Sequence, residues 1–233
     1  AELVLLARVV ADDIVERFTG RRGVSSTQVA FVSDNGRRNK EIWVMEADGS
    51  GKRRVTNNGS INLFPAWSPD GKTLVYTSFK AGLSELFLLY RGSKPGARLI
   101  NTKDEKYRGV WHPTNGRIAA VVARQGNTDI YSVSGNGSGP VRLTESRSVE
   151  PSPTFSPDGR RMAFVSDRSG APQVWIKDLE SGEEHRNRQE HREEHPAPLT
   201  PQRPGRAEEQ PRLDPQPMAL AVLPAAERAR ERG

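Results

Sequence analysis

The chain repeats itself at a step of 44 residues. Trp67, Trp111 and Phe155 are separated by this step, and each begins a short motif that contains Pro and ends in Gly. An apolar segment further along each repeat keeps the same step through one aromatic residue, at Trp43, Phe87, Tyr131 and Trp175. A period of this length limits the fold to architectures in which one supersecondary unit is copied and stacked against its neighbours.

The pattern inside each repeat predicts short strands. The apolar runs last four to six residues, favour Val, Ile and aromatic residues, and are separated by clusters of Gly, Asn, Asp and Pro. Runs such as residues 162–165 are apolar on both faces, as is typical of strands in blades that stack face to face. The sequence therefore predicts an all-β fold. We expect a partial β-propeller of about three and a half four-stranded blades, preceded by one N-terminal helix and followed by a disordered tail.

The Pro-containing motif predicts a hairpin turn between the first two strands of each blade. In Ser68-Pro69-Asp70-Gly71, Pro presets φ, Asp accepts hydrogen bonds from its own turn, and Gly adopts the positive φ that reverses the chain. His112 stands where the other repeats have Ser, so it too is predicted to be a turn residue rather than a general base. The residues assigned to this structural role are Trp67, Ser68, Pro69, Asp70, Gly71, Trp111, Pro113, Gly116, Phe155, Ser156, Pro157, Asp158 and Gly159.

Composition divides the chain into four parts. Residues 1–20 predict a helix that ends at a Gly, and residues 21–27 are a linker. The repeats occupy residues 28–182, where the first blade lacks its innermost strand and the last blade stops before its outer strand. Residues 183–233 contain no Phe, Trp, Tyr or Ile and hold eight of the 17 prolines. So little apolar surface cannot offset the entropy of ordering, and this tail is predicted to be disordered.

Three further expectations concern the incomplete pattern. The sequence begins without Met or a signal peptide, so we expect it to begin inside a longer protein. The abrupt change at residue 183 suggests a shifted reading frame or a truncated gene, which sequencing of the locus would test. Blades without neighbours should expose apolar faces and promote self-association. The structural alternative to this open, partial propeller is a closed ring of four blades.

The sequence lacks the residue constellations of an enzyme or a metal site. It has no Cys, which excludes thiolate chemistry, and no 18-residue apolar run that would span a membrane. The tail residues His185, His191 and His195 have nothing to orient them as metal ligands. We therefore expect no catalytic residue, no cofactor and no metal. The loop carboxylates are expected to cap turns rather than to bind a cation: Asp34, Asp70, Asp158 and Asp167.

The net charge of +6 belongs to the repeats. Residues 183–233 hold nine Arg against ten Asp and Glu, which leaves +7 for the first 182 residues. Runs such as Lys52-Arg53-Arg54 would attract phosphate groups. No aromatic residues are interleaved with them, as binders of single strands require, so the sequence favours solvated loops and no nucleic-acid partner. Filter binding across a salt series would test the nucleic-acid alternative.

Two stretches resemble the TolB family. Residues 7–20, followed by residues 26–33, are similar to the family's junction between a small N-terminal α/β domain and the propeller. Residues 41–49 and the Trp67 motif are similar to its repeats. The resemblance covers residues 5 to 182 and identifies residues 1–20 as the C-terminal helix of that α/β domain. Prolyl-oligopeptidase and tricorn-type propellers share the repeat motif, but a helix ending in Phe18-Thr19-Gly20 directly before the first blade favours TolB.

This resemblance implies a non-enzymatic, protein-binding component of the Tol-Pal system in the periplasm, which supports outer-membrane integrity and cell division. Its implied partner is the peptidoglycan-associated lipoprotein Pal, bound at the propeller mouth. The family binds TolA through an N-terminal segment that has no counterpart in this sequence. We therefore do not expect this chain to bind TolA. Six blades of 44 residues would exceed the 233-residue chain. The alternative is the propeller domain of a prolyl-oligopeptidase or tricorn-type serine peptidase, which needs a hydrolase domain with a Gly-x-Ser-x-Gly motif.

Overall fold

In the computed structural model, one helix precedes a body of short strands. The structure describes residues 2–34, 38–91, 98–100, 102–124 and 126–187, together with the backbone of residues 220–223. The elements in chain order are α1 (Glu2–Thr19), β1 (Gln28–Ser33), β2 (Glu41–Glu46), β3 (Arg53–Arg54), β4 (Asn62–Trp67), β5 (Thr73–Ala81), β6 (Leu83–Tyr90), β7 (Glu105–Trp111), β8 (Arg117–Arg124), β9 (Asn127–Ser134), β10 (Val141–Arg142), β11 (Thr154–Phe155), β12 (Arg161–Ser166), β13 (Gln173–Asp178), β14 (Glu184–Arg186) and β15 (Leu220–Leu223).

The strands form four antiparallel sheets, one for each blade. The second blade contains β4 to β6, the third β7 to β10 and the fourth β11 to β14, each with its strands paired in chain order. The repeated aromatic residues occupy equivalent places on the third strand, since Trp43 pairs with Phe31, Phe87 with Tyr76, Tyr131 with Ala120 and Trp175 with Phe164. The predicted all-β partial propeller is confirmed, and a helix precedes it as expected.

The last blade extends beyond the predicted boundary at residue 182. β14 pairs with β13, with Glu184 opposite Lys177 and Arg186 opposite Trp175, so the predicted lack of an outer strand is wrong. Charged contacts hold this strand, because Glu184 accepts from Lys177 Nζ at 2.8 Å and from Arg168. Its stability depends on ion pairs rather than on apolar residues, which explains why hydrophobic patterning does not reveal it. In the second blade, the outer strand is reduced to a single bridge between Phe87 and Arg98.

The first blade takes its innermost strand from the far end of the chain. β15 pairs antiparallel with β1, from Leu223 opposite Gln28 to Leu220 opposite Phe31, which gives the sheet order β15-β1-β2-β3. The predicted absence of an inner strand in this blade is therefore wrong. Sequence patterns cannot indicate a partner that is so distant along the chain and belongs to a Pro-rich tail. Residues 188–219 and 224–233, for which disorder is predicted, lie outside the described residues.

Three apolar cores lie between neighbouring blades. The core between the first and second blades includes Ile42 and Tyr76, and the core between the second and third includes Leu86 and Ile118. The core between the third and fourth blades contains Ile130, Met162 and Phe164, among others. Within the part of the chain that the structure describes, no buried cluster joins the fourth blade to the first. The described blades thus form an open arc rather than the alternative closed ring, and Val174 on the fourth blade is 43% exposed.

Helix α1 is attached to the propeller by its polar side. Asp12 is fully buried, and its carboxylate accepts hydrogen bonds from the backbone N–H groups of Ser25 (2.6 Å) and Ser26 (2.8 Å) and from the Ser26 hydroxyl (2.5 Å). Arg8 donates to Glu46 Oε2 at 3.0 Å. The apolar residues at helical spacing are instead exposed, namely Leu3, Leu6, Val10, Ile14 and Phe18. No described helix is long and apolar enough to cross a bilayer.

We expect Asp12→Asn to loosen α1, because the Asn amide cannot accept all three hydrogen bonds. Burial raises the pKa of Asp12, but hydrogen bonds from Ser26 and Ser25 outweigh it and hold the pKa below 3.8. A carboxyl whose pKa is lower in the folded state stabilises that state fully at neutral pH, and the contribution is lost as the pH falls below about 4. Protection factors from hydrogen exchange in α1 should fall by about ten-fold or more in Asp12→Asn at pH 7. The exposed neighbour gives the control Asp13→Asn, and equal protection in the two variants would contradict the expectation.

Candidate functional site

The propeller has two ends, defined here by the strands that meet at each. At the lower end, the inner strand of a blade meets the second strand in the Pro-containing turn. At the upper end, the inner strands begin and the second strands lead into the third strands. Because antiparallel neighbours alternate in direction, every blade presents the same connections at the same end. The two ends therefore carry different connections, and each end forms one surface.

The predicted turn residues all lie at the lower end. Ser68 Oγ donates to Asp70 Oδ1 at 2.5 Å and accepts from the backbone N–H of Thr73 at 2.9 Å, while Gly71 has a φ of +67°. Ser156 and Asp158 make the same contact at 2.5 Å in the fourth blade. The remaining motif residues occupy the same turns and the strands before them, including Trp67, Pro69, Trp111, Pro113, Gly116, Phe155, Pro157 and Gly159. The purely structural role assigned to these residues stays a prediction.

His112 connects two blades at the lower end. Its Nε2 lies 2.9 Å from the carbonyl oxygen of Gly159, and its ring packs against Phe155 with centroids 4.8 Å apart. A Cβ at position 159 would meet the imidazole at 2.3 Å, so Gly is required for this close approach. His112 thus lies in its own turn, as the sequence predicts, and also holds the turn of the next blade. Its buried ring has no access to a substrate.

The inner strands carry a feature that sequence analysis does not identify, about midway along β4 and β7. Phe64, Arg108 and Ser152 occupy equivalent positions in three successive blades and all have positive φ, at 53°, 40° and 62°. We call these three residues the axial ring. The Arg108 guanidinium lies 5.7 Å from the centroid of the Phe64 ring and donates to Ser152 Oγ at 3.5 Å. Its backbone N–H donates to Thr77 Oγ1 at 3.0 Å, which fixes the bulge in the strand.

Two residues before each member of the axial ring, a buried polar side chain forms a hydrogen-bonded pair that supports the ring. Glu41 accepts from Asn62 at 3.0 Å, and Glu85 accepts from Lys106 at 2.7 Å. Glu150 instead accepts from Arg168 and, at 3.3 Å, from Ser166. Asn62, Lys106 and Glu150 are all fully buried. The first two pairs join the start of an inner strand to the preceding blade, whereas Glu150 pairs within its own blade, and its backbone N–H donates to Thr128 Oγ1 of the third blade at 2.6 Å.

Arg168 forms ion pairs in the fourth blade at the upper end. Its guanidinium pairs with Glu150 and Glu184 and lies 4.8 Å from the ring centroid of Trp175. Burial raises the pKa of Glu184, but Lys177 and Arg168 outweigh it and hold the pKa below 4.5. The Glu184 carboxylate therefore stays ionised at neutral pH, paired with Lys177 and Arg168.

The axial ring could have been found only by comparing the repeats for position instead of residue type. Phe64, Arg108 and Ser152 keep the 44-residue step but share no chemistry, so a motif search passes over them. The described residues contain no cluster of three or more His, Asp or Glu side chains that could hold a metal ion. His185 lies on β14, whereas His191 and His195 fall outside the described residues.

Antiparallel blades of three or four strands that share buried faces define the chain as a β-propeller. A family model described as the TolB beta propeller domain matches residues 15–203. The chain belongs to the TolB β-propeller family, as its resemblance predicts. A "Protein TolB homolog" of Chlorobium luteolum is 37% identical over 192 residues, covering 78% of this chain and 41% of the relative. The "Tol-Pal system protein TolB" of Bordetella pertussis is 36% identical over 183 residues, covering 78% and 42%. The chain thus spans about two fifths of the length of these curated relatives.

Solved structures show the same fold. TolB from Acinetobacter baumannii has a TM-score of 0.65 at 23% identity, covering 78% of this chain and 46% of its own. A puromycin hydrolase has a TM-score of 0.55 at 16% identity, covering 69% and 27%. Because both sequence identities are so low, these similarities show only that the fold is shared. The relatives that match in sequence carry TolB names, so the TolB-type propeller is favoured over the propeller of a serine peptidase.

Proposed function

We propose that this chain is the protein-binding propeller of a TolB-type, non-enzymatic component of the Tol-Pal system in the periplasm, where it supports outer-membrane integrity and cell division. Its proposed partner is the lipoprotein Pal, and the proposal does not extend to TolA. The printed name of the Bordetella pertussis relative supports the Tol-Pal assignment. The axial ring is the observation that carries the binding role.

The backbone of the axial ring supports a binding role. A residue other than Gly at positive φ costs on the order of 1–3 kcal/mol, and such residues cluster at sites where strain serves a function. Here the cost recurs at Phe64, Arg108 and Ser152, where Gly would be free of it. Side chains other than Gly at the same strained position in three blades support a functional role for the side chains themselves.

The side chains of the ring suit a protein partner. Arg and aromatic residues dominate the energetic centres of protein interfaces, because they combine apolar area with directional hydrogen bonds. Arg108 is half-buried between Phe64 and Ser152, so its orientation is fixed before a partner arrives. Pre-organisation of this kind reduces the entropy lost on binding. These contacts support the axial ring as a pre-organised anchor for a partner.

We expect Arg108→Gly to weaken Pal binding by about 30-fold, since loss of a central interface Arg typically costs about 2 kcal/mol. Gly at this position also relieves the positive φ of 40°, so the variant should be at least as stable as the wild type. Affinity would be measured by biolayer interferometry with purified Pal from the same organism, beside thermal melting of each variant.

Arg160→Gly provides the matched control, because Arg160 is exposed in a turn at the lower end. We expect the affinity of this variant for Pal to equal that of the wild type. Equal affinities for Arg108→Gly and the wild type would refute the axial ring as the binding site. Absence of any Pal binding by the wild-type chain would refute the proposed partner.

A further inference from the structure

Where neighbouring blades meet at the upper end, a nitrogen donor of one blade contacts a carboxylate of the preceding blade. Between the first and second blades, Asn62 Nδ2 donates to Glu41 Oε2 at 3.0 Å. Between the second and third blades, Lys106 Nζ donates to Glu85 Oε2 at 2.7 Å. Asn62 and Lys106 are 44 residues apart, as are Glu41 and Glu85, so the repeat places a donor at the same position in both contacts.

The contact between the third and fourth blades differs, because the equivalent residues there are Asp129 and Glu150. The backbone register is nevertheless the same. Thr128 and Val149 form a parallel bridge, as the equivalent residues do between the first and second blades. This register brings the next residues of the two segments, Asp129 and Glu150, together. Two carboxylates therefore meet where the other blades pair a donor with an acceptor.

Both carboxylates are buried, and each has one oxygen without a hydrogen-bond partner among the described residues. Asp129 is 7% exposed, and Glu150 is fully buried. Arg142 pairs with Asp129 Oδ2, while Arg168 and Ser166 contact Glu150 Oε1. Asp129 Oδ1 and Glu150 Oε2 remain. Buried anionic oxygens that lack a donor or a cation are costly, so these two atoms indicate a site for a positively charged ligand.

The ammonium group of Lys106 shows how the fold surrounds a cation at this position. Besides Glu85, it contacts the carbonyl oxygens of Thr102 at 2.9 Å and Asp104 at 2.6 Å, so three oxygens surround it. An arginine beside the same carboxylate does not exclude this cation, because Arg98 lies 3.6 Å from Glu85 Oε1. The arginines that pair with the two carboxylates of the next contact are therefore compatible with a cation there.

We propose that a Ca²⁺ ion binds between the third and fourth blades, held by Asp129 Oδ1 and Glu150 Oε2. The backbone carbonyl groups of Ser146 and Ser148, which are equivalent to those that contact Lys106, would provide two further oxygens. Ca²⁺ takes about six to eight oxygen ligands from carboxylates, carbonyl groups and water. The site has only two carboxylates, each beside a guanidinium group, so we expect a Kd of about 0.1–1 mM. The proposal does not depend on the function proposed for the axial ring.

Thermal melting and isothermal titration calorimetry of the full chain with CaCl₂ test this site. At about 10 mM CaCl₂, the melting temperature should rise by at least about 3 °C relative to NaCl of equal ionic strength. Glu150→Gln removes one of the two anionic ligands, so it should bind Ca²⁺ at least about ten-fold more weakly and lose this rise. The matched control Glu183→Gln removes an exposed carboxylate from the same blade and should bind Ca²⁺ like the wild type.

Glu150→Lys provides an independent test, because it reproduces the arrangement around Lys106. The introduced ammonium group would take the position of the ion beside Asp129, so this variant should fold and its melting temperature should not respond to CaCl₂. Titration of the wild type keeps the inference testable if either variant fails to fold. No saturable Ca²⁺ binding by the wild type, or equal Ca²⁺ affinities for the wild type and Glu150→Gln, would overturn the inference. Pal binding is a separate measurement, and neither result would affect the proposal for the axial ring.

Discussion

Lys106→Met should destabilise the protein by about 3–5 kcal/mol, the largest loss that we expect from a single substitution. Lys106 is fully buried, and its ammonium group donates to Glu85 Oε2 at 2.7 Å and to the carbonyl oxygens of Thr102 (2.9 Å) and Asp104 (2.6 Å). Met has a similar volume but no charge. The substitution would leave two carbonyl groups without the ammonium donor and the buried Glu85 carboxylate with only Arg98, 3.6 Å away, as an ion-pair partner, and desolvated groups of this kind are costly.

The double variant Lys106→Met/Glu85→Leu distinguishes a buried unpaired charge from a loss of packing. Replacing both members of a buried ion pair by apolar residues is often nearly neutral, so the double variant should recover most of the loss. Urea denaturation followed by tryptophan fluorescence would give both free energies of unfolding. A loss below about 1 kcal/mol in Lys106→Met would show that the pair is not a major support of the second and third blades.

Gly137→Ala should destabilise the contact between the same two blades by about 2–4 kcal/mol. Gly137 has a φ of +83°, which L side chains rarely adopt. A Cβ at this position would lie 1.6 Å from the carbonyl oxygen of Leu99 and 2.8 Å from its carbonyl carbon. Because the obstacle is backbone rather than a flexible side chain, either the turn or the chain at Leu99 must move. Leu99 belongs to the core between these blades, so that core should open.

The repeat itself provides the control for Gly137. Gly49 is the equivalent residue of the first blade, with a φ of +80° and the same turn hydrogen bond, at 2.9 Å instead of 2.8 Å. No atom lies within 4 Å of a Cβ built at Gly49. Gly49→Ala therefore measures the cost of positive φ alone, about 1 kcal/mol. We expect the difference between the two variants to appear in thermal melting, and equal melting temperatures would contradict a role for blade contact.

The sequence predicted the strands and their stacking because these depend on local, repeated features. A turn built from Ser68, Pro69, Asp70 and Gly71 is determined by φ preferences and short-range hydrogen bonds. The aromatic residue of the third strand recurs because each blade has the same neighbours. The family resemblance rests on the same repeated residues, and the family model and the curated relatives confirm it.

The remaining features depend on contacts that are distant in sequence or contrary to residue preference. The orientation of α1 follows from one buried carboxylate, Asp12, although the apolar stripe of the helix suggests the opposite face. Phe64 and Arg108 adopt a conformation that their side chains disfavour, so no propensity indicates it.

The position of β15 also determines when the first blade can be finished during synthesis. The ribosome releases β1, β2 and β3 before the other described blades of this chain, whereas their inner neighbour emerges after those blades. Throughout translation, the free edge of β1 is open to a chaperone or to a strand of another nascent polypeptide. The first blade of this chain is therefore completed after its other described blades, when residues 220–223 pair with β1.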